Sequence, residues 1–584
     1  MKTNHLSTDS IRRALFPLSI LCFLLSVAML VPEVRAFFIL FVEALRHQTL
    51  PPLYWEKLHI QLFFAAFGGI TFSIILLIVH ANRFPLLYDF VKKRTNSLAW
   101  TLMTVFSLSA LLLAVSNQAI WLDEAFSLAF IQRSWGELFA CMKLDVLPPL
   151  YFLMEKCWAS LWGDGIFAMK CLSIIPMILT MIFTFLFLKK EFSKKAALLF
   201  LLSFLASGSI VHYAIEIRMY AWAFFFVTMA ALCVWYIITT GKTLWMVLFV
   251  LCAEGAAYTH YYAAAVVAIG HLCFSYYTWK YNRKNTRSIL WVALTAIILY
   301  LPWVSLTIHN FRTVSADFWI EPFTLMGIFR LVAVVLHADN SLFAFPLLIV
   351  FLIVLCRFLI KKERTKGELF AFWGFSCLVL LFLTGIFISL LTRPLLIGRY
   401  LFPACGLLWL FFAVEGATIK NKRIFTLLCG VMFSIVVVTL SLSFHDERKE
   451  NKEFTQFHSY LIKNIHSDDI FVFPPSNSNH LPGIFACLFR GHTYVYEFGV
   501  GHKLSPTCWQ MFGNTNISYQ ALAEPPFSNR RIWLAVKQEK TNGIFSPNPY
   551  VIPVDAHAQW CGTFGWDFFK FDLYLSEFPA AFIP

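Results

Sequence analysis

The sequence predicts a polytopic α-helical membrane protein with about thirteen transmembrane helices. Interfacial helices are expected in its first long extracytoplasmic loop, and a small extracytoplasmic α/β domain at its C-terminus. Three observations predict this. Of 584 residues, 59% are hydrophobic and only 14% charged, with a mean hydropathy of +0.68, whereas soluble chains carry roughly 25% charged residues. Apolar runs long enough to cross a bilayer recur along most of the chain. Lys and Arg gather in short clusters that alternate with those runs, as a membrane topology requires.

The runs fall at 14–31, 58–80, 98–118, 166–188, 196–213, 220–240, 244–258, 262–279, 288–308, 342–360, 368–391, 401–419 and 424–444. The two within 244–279 are short for spans. The first is too long for a signal-peptide core and lacks a small-residue cleavage site, so it is expected to remain as a span. Alternate loops carry Arg12 and Arg13; Arg83 and Lys92 to Arg94; Lys189 to Lys195; Lys242; Lys280 to Arg287; Lys361 to Lys366; and Lys420 to Arg423. The opposite loops are about twice as long yet hold roughly half as many basic residues, which puts the N-terminus in the cytoplasm. An odd number of spans then places the C-terminal tail outside.

Three units follow: an added hairpin with a cytoplasmic linker at 1–97, a transmembrane core at 98–444, and an outer domain at 445–584. Two outside segments are long. That from Asn117 to about Asp164 has amphipathic stretches with Trp121, Trp135, Trp158 and Trp162, suited to interfacial helices. The other runs from His309 to about Ser341. After Phe444 the chain turns polar, with a helical stretch at Tyr460–Ile465 and β-like runs at Ile470–Phe473 and Ile532–Val536.

The formal charge of +14 is distributed as topology demands, which argues against a nucleic-acid partner. The 14 Cys form no CxxC pattern. Cys508 and Cys561 could pair if the tail is in an oxidising compartment. No Walker A, GxGxxG, HExxH or GxSxG motif occurs in the loops, which argues against a nucleotide-driven pump and a cytoplasmic sugar-nucleotide enzyme.

Five clusters of reactive residues all fall on the outer side. Ile120-Trp-Leu-Asp-Glu-Ala-Phe126 sets Asp123 and Glu124 at the membrane boundary, where partial desolvation raises a carboxylate's basicity; a helix N-terminus explains both equally well. Lys143-Leu-Asp-Val-Leu-Pro-Pro-Leu-Tyr151 puts Asp145 ahead of a Pro-Pro helix start. Tyr213-Ala-Ile-Glu-Ile-Arg-Met-Tyr220 carries Glu216 and Arg218 in a tight turn, either as a functional pair or as a mutual lock. Tyr258-Thr-His-Tyr-Tyr262 holds His260 among aromatics. Arg393 and Arg399 lie outside, against the positive-inside trend, which invites an anionic partner or headgroup.

In this order the clusters resemble the GT-C glycosyltransferases, in particular the protein O-mannosyltransferase and lipid A aminoarabinose-transferase branch and its bacterial relatives. The resemblance covers roughly Leu98 to Phe444. Trp121-Leu-Asp-Glu124 looks like that family's first-loop acidic motif, Asp145-Val-Leu-Pro-Pro149 like its Asp-x-His-Pro-Pro, and Glu216-Ile-Arg-Met-Tyr220 like its loop ending Arg-x-Tyr. Lys170 sits where relatives commonly have Arg. Two departures stand out: Leu147 replaces the motif His, and the first two spans are additional.

The resemblance implies an inverting sugar transfer from a polyprenyl-phosphate donor to a glycan, lipid or protein acceptor outside a bacterial inner membrane. Asp123 would act as general base. Glu124 and Asp145 would orient acceptor or sugar, or join Asp123 in holding a divalent cation (Mg or Mn) if one is used. Lys170, Arg218 and Arg399 would neutralise the departing lipid phosphate; Glu216, Tyr220, His260 and Tyr400 complete the donor site. Two other readings remain. A lipid-linked sugar transporter would want ionisable or broken helices near the midplane, for which Glu254-Gly255 and Gly68-Gly69 are the candidates. A non-catalytic relative that binds lipid-linked sugar would account for the missing His.

Overall fold

In the computed structural model the described residues are 8–46, 52–80, 84–144, 147–281, 283–316, 324–337, 341–392, 394–474, 480–495, 515–517, 520–523, 526–527, 530–541, 544–546, 558–566 and 569–576. Asp145, Arg393 and Cys508 lie outside them.

The chain begins with α1 (Thr8–Ala28), α2 (Pro32–Arg46), α3 (Pro52–His80) and α4 (Phe84–Ser116). α1 and α2 are bent by 101°. At the bend, Arg35 donates to the Met29 and Leu30 carbonyls at 2.7 and 2.9 Å, satisfying groups that a helix end leaves open. Three short helices follow: α5 (Leu122–Ile131), α6 (Trp135–Leu144) and α7 (Leu150–Trp162). α7 ends at Gly163, whose φ of +86° suits a residue without Cβ.

The bundle continues with α8 (Ile166–Glu191), α9 (Lys194–Ala206), α10 (Gly208–Ile215), α11 (Tyr220–Thr240), α12 (Thr243–Ala257), α13 (Tyr261–Tyr281) and α14 (Arg283–Ala316). Then come α15 (Leu325–His337), α16 (Ser341–Ile360), α17 (Lys366–Leu391), α18 (Gly398–Leu401), a 3-10 turn at Phe402–Ala404, α19 (Cys405–Ala417) and α20 (Lys422–Asn464). Capping is written into the sequence: Ser193 accepts from the Ala196 amide at the start of α9, and Thr365 with Glu368 forms a capping box on α17.

Among the described residues, eight helices are long and apolar enough to cross a membrane, and two bent pairs, α1–α2 and α9–α10, bring the number to ten. The expected figure of about thirteen is not reached on these criteria. The runs at 244–258 and 342–360 form helices that are too short, and α13 is diluted by Tyr, His, Ser and Trp. The segment expected to be a loop at 309–341 is partly helical: α14 runs on to Ala316, and α15 packs against α10, α16 and α18. Gly398 is required there, since a Cβ would come within 2.5 Å of Val334.

α20 is continuous through position 444, carrying its apolar half into the bundle and its polar half into the C-terminal domain. That domain has β1 (Ile470–Val472), α21 (His480–Leu488), β2 (Thr493–Val495), β3 (Thr515–Ile517), a 3-10 turn at Gln520–Ala523, β4 (Ile532–Lys537), β5 (Glu539–Thr541), β6 (Ile544–Ser546), β7 (Gln559–Trp566) and β8 (Phe569–Ser576). The main sheet has the order β3-β2-β1-β4-β8-β7. Its first four strands are parallel and a hairpin is added antiparallel to β4. Its core joins that of the bundle: Phe457 of α20, Phe485 of α21 and Phe571 of β8 pack together. α21 in turn lies on α5. The sheet therefore sits over the helix that carries Asp123.

Candidate functional site

The loop 117–121 and α5 form the centre. Glu124 reaches back to the Trp121 amide (3.1 Å) and also accepts from the Ile217 amide (2.9 Å). It therefore takes the helix-capping part foreseen for this acidic pair. Burial pushes its carboxyl up to about 7, opposed by Lys170. Asp123 stays on the open side, with its side chain 22% exposed. Its Oδ2 faces Arg399 Nη1 at 3.1 Å and Arg218 Nη2 at 3.9 Å. Asp123 and Arg399 are 276 positions apart in sequence.

Glu216 and Arg218 do not pair with each other. Glu216 accepts from the Trp121 indole at 3.1 Å, while Arg218 donates to the Asp123 carbonyl at 3.1 Å and to Ser127 Oγ at 3.3 Å. Burial raises Glu216 to about 7, with Arg399 and Arg218 opposing. Arg399 lies 5.3 Å from the Trp121 ring centre and 5.8 Å from that of Tyr400, an arrangement that holds a guanidinium without neutralising it.

Tyr220, His260, Tyr262 and Tyr400 form an aromatic wall, with ring centres 4.7 to 5.9 Å apart around His260 and Tyr400. Burial, with Arg218 and Arg399 nearby, pulls the His260 imidazole down to about 3, so it is neutral. The Tyr258 carbonyl accepts from the Leu150 amide at 2.9 Å and thereby ties the start of α7, after Pro148-Pro149, to this wall. Leu147 packs on the hydrophobic core.

Lys170 is buried in α8 and donates to the Asn117 carbonyl at 3.0 Å. It braces the loop from beneath. From above, Asn117 donates to Glu447, the Gln118 amide donates to Asn451 at 2.8 Å, and the Trp566 indole donates to the Ile120 carbonyl at 2.9 Å. The loop is thus held by the C-terminal domain and the last long helix together.

Sequence reasoning missed Glu155. It lies on α7 one turn after Tyr151, fully buried, beside Tyr151 and within electrostatic reach of Arg218 and Glu124. Neither carboxyl oxygen nor the Tyr151 hydroxyl completes a well-aligned hydrogen bond. Burial pushes the carboxyl up to about 8. The legible signal was spacing: Tyr151 and Glu155 share one face of a helix whose start Pro148-Pro149 marks.

As for a cation, both Glu124 oxygens are engaged by backbone amides and Asp123 faces Arg399. Among the described residues, the one group of ligand atoms close enough to share an ion is His466, Asp468 and Asp469 in the C-terminal domain. There Asp469 is already held by Arg531 and by the Trp533 indole.

No protein-family model matches the chain, and no curated protein does. The architecture of long apolar helices, short helices after the fourth and a C-terminal domain seated on the acidic loop is similar to that of solved structures. In particular, it is similar to that of ArnT from Cupriavidus metallidurans. The apo structure of that protein is 11% identical with a TM-score of 0.55, over 84% of this chain and 100% of that one. Its structure bound to undecaprenyl phosphate is 12% identical with a TM-score of 0.54, over 84% and 99%. At such identity it is the fold that the two share.

Proposed function

We propose that this chain is a glycosyltransferase that takes sugar from a polyprenyl-phosphate donor at the extracytoplasmic face of the membrane. In this proposal the N-terminus lies in the cytoplasm and the C-terminal domain outside, the orientation that the basic loops favour. The observation that carries the reading is the meeting of Asp123 with Arg399 and Arg218. A partly exposed carboxylate and two cations that do not titrate near neutrality stand side by side, which is what proton removal and phosphate departure need together. The fold partner solved with undecaprenyl phosphate supports a lipid-linked donor.

In this reading the acceptor hydroxyl gives its proton to Asp123 as its oxygen attacks the anomeric carbon. The bond from that carbon to the phosphate oxygen breaks on the opposite face, and the configuration inverts. The lipid phosphate leaves with both electrons of that bond, and Arg399 and Arg218 stabilise its charge. Glu124, spent on two backbone amides, positions α5 against the 216–218 turn. Neutral His260 and its tyrosines bind by stacking and hydrogen bonding, not by charge. A glycan, lipid or protein hydroxyl serves as acceptor.

Transfer of labelled sugar from polyprenyl-phosphate donors in membranes tests this, with Asp123→Asn alongside the parent. Asn is nearly isosteric and cannot accept the proton, so activity should fall by about 100-fold or more while the protein still folds. Undiminished transfer by Asp123→Asn would remove the base assignment. Donor binding without transfer by the parent would favour a non-catalytic relative, for which apolar Leu147 is the supporting observation.

A further inference from the structure

Glu254 lies in α12, close to its end at Ala257, and takes no part in the site above. Its neighbour Gly255 has a packing reason: a Cβ there would come within 2.7 Å of the Phe226 ring of α11. Glu254 has no such reason. It is half-buried and within electrostatic reach of Tyr258 and Tyr300. Tyr300 and Trp303 come from α14; the Tyr258 ring centre lies 5.3 Å from Tyr300 and 6.2 Å from Trp303.

Two buried atoms here have no hydrogen-bond partner: Glu254 Oε2, an acceptor, and Trp303 Nε1, a donor. Both belong to residues that flank Tyr258. Buried polar atoms are nearly always satisfied, so the pair calls for a ligand that donates at one end and accepts at the other. The outward side of α14 is apolar, with Leu294, Ile297, Ile298 and Leu301 exposed, so the ligand's approach is from the bilayer.

We propose that α12 and α14 hold the headgroup of a phospholipid bearing a primary ammonium, of the phosphatidylethanolamine type. The ammonium donates to Glu254 Oε2 against the Tyr258 and Tyr300 rings, and a phosphodiester oxygen accepts from Trp303 Nε1. Aromatic faces attract a cation. The orphaned oxygen selects a primary ammonium, because a quaternary one has no proton to donate. A net anionic headgroup would meet the same carboxylate and be repelled. The proposal does not rest on the transferase reading, and its test involves no turnover.

The test uses the full chain in detergent, titrated with phosphatidylethanolamine, phosphatidylcholine or phosphatidylglycerol, with retained lipid read by native mass spectrometry. The ethanolamine lipid should be retained about tenfold better than the others, the scale of a charged hydrogen bond. That preference should vanish in Glu254→Gln and weaken in Trp303→Phe, with melting temperatures unchanged. Equal retention of the three lipids by the parent, or full preference in Glu254→Gln, would overturn the proposal. So would competition by free ethanolamine as strong as by the lipid, which would make the occupant a soluble amine. If Glu254→Gln does not fold, the comparison of lipids on the parent and on Trp303→Phe decides.

Discussion

At the scale of single residues, Asp123 is held by Arg399. In the proposed reaction the donor phosphate offers that guanidinium a second bidentate partner, which would draw Arg399 from Asp123 and free the base. The donor should therefore bind before the acceptor, and initial-rate kinetics should give an ordered pattern; a random pattern would contradict this. Arg399→Lys keeps the charge but loses the planar fork, so the donor KM should rise about tenfold with a smaller change in kcat. Glu155 makes a different prediction. Its folded-state value of about 8 stands above the ordinary 4.5, so the folded chain keeps a proton that the unfolded chain releases. That stabilisation is complete at acidic pH and is lost as pH rises through about 8. Glu155→Gln is neutral throughout, so melting temperatures at pH 5 and pH 9 should show the variant gaining on the parent at the higher pH. A constant difference would mean that the carboxyl is not held protonated.

At the scale of elements, glycine decides one contact that the sequence left as an uncharged curiosity. A Cβ on Gly68 of α3 would meet Val438 of α20 at 2.4 Å, and one on Gly430 of α20 would meet Ile75 of α3 at 2.7 Å. The two helices approach through each other's glycines, as membrane helices do where small residues let backbones close. Gly68→Val should cost about 1–3 kcal/mol, read as a lower melting temperature of the whole chain. The elements themselves were largely legible. Apolar runs mark spans because lipid tolerates little else, and β1 and β4 are short continuous apolar runs with β-branched and aromatic residues, as buried strands are. α15 was not legible: its Met326–Leu336 stretch is short for a span and lies next to a polar, Trp-bearing segment. Nor was Glu155, a single charge within an otherwise apolar helix. For the site, each motif could be seen but not their convergence, because Asp123, Arg218 and Arg399 sit on separate elements and distance in sequence carries no distance in space.

At the scale of the whole molecule, one side of the C-terminal domain packs into the core of the helical bundle, and Trp566 is its reach into the site. Trp566→Phe preserves the packing against Phe457 but removes the donor to the Ile120 carbonyl. The expected loss of stability is about 1 kcal/mol. A disproportionate fall in kcat, with the donor KM unchanged and faster amide exchange around 117–121, would show the domain at work on α5. Unaltered turnover would reduce it to a cover.

The last long helix has a consequence of its own. α20 has 43 residues, about 65 Å at 1.5 Å per residue, which is roughly twice the hydrocarbon depth of a bilayer. One unbroken rod thus runs from the helical bundle into the C-terminal domain and, through Asn451 and Glu447, has its shaft fixed to the acidic loop. In the proposed topology it would work as a ruler, with the height of Asp123 above the lipid set by helix length, not by lipid. In thicker or thinner bilayers the protein must tilt or the lipid must deform, so turnover should peak at one acyl-chain length and decline on either side.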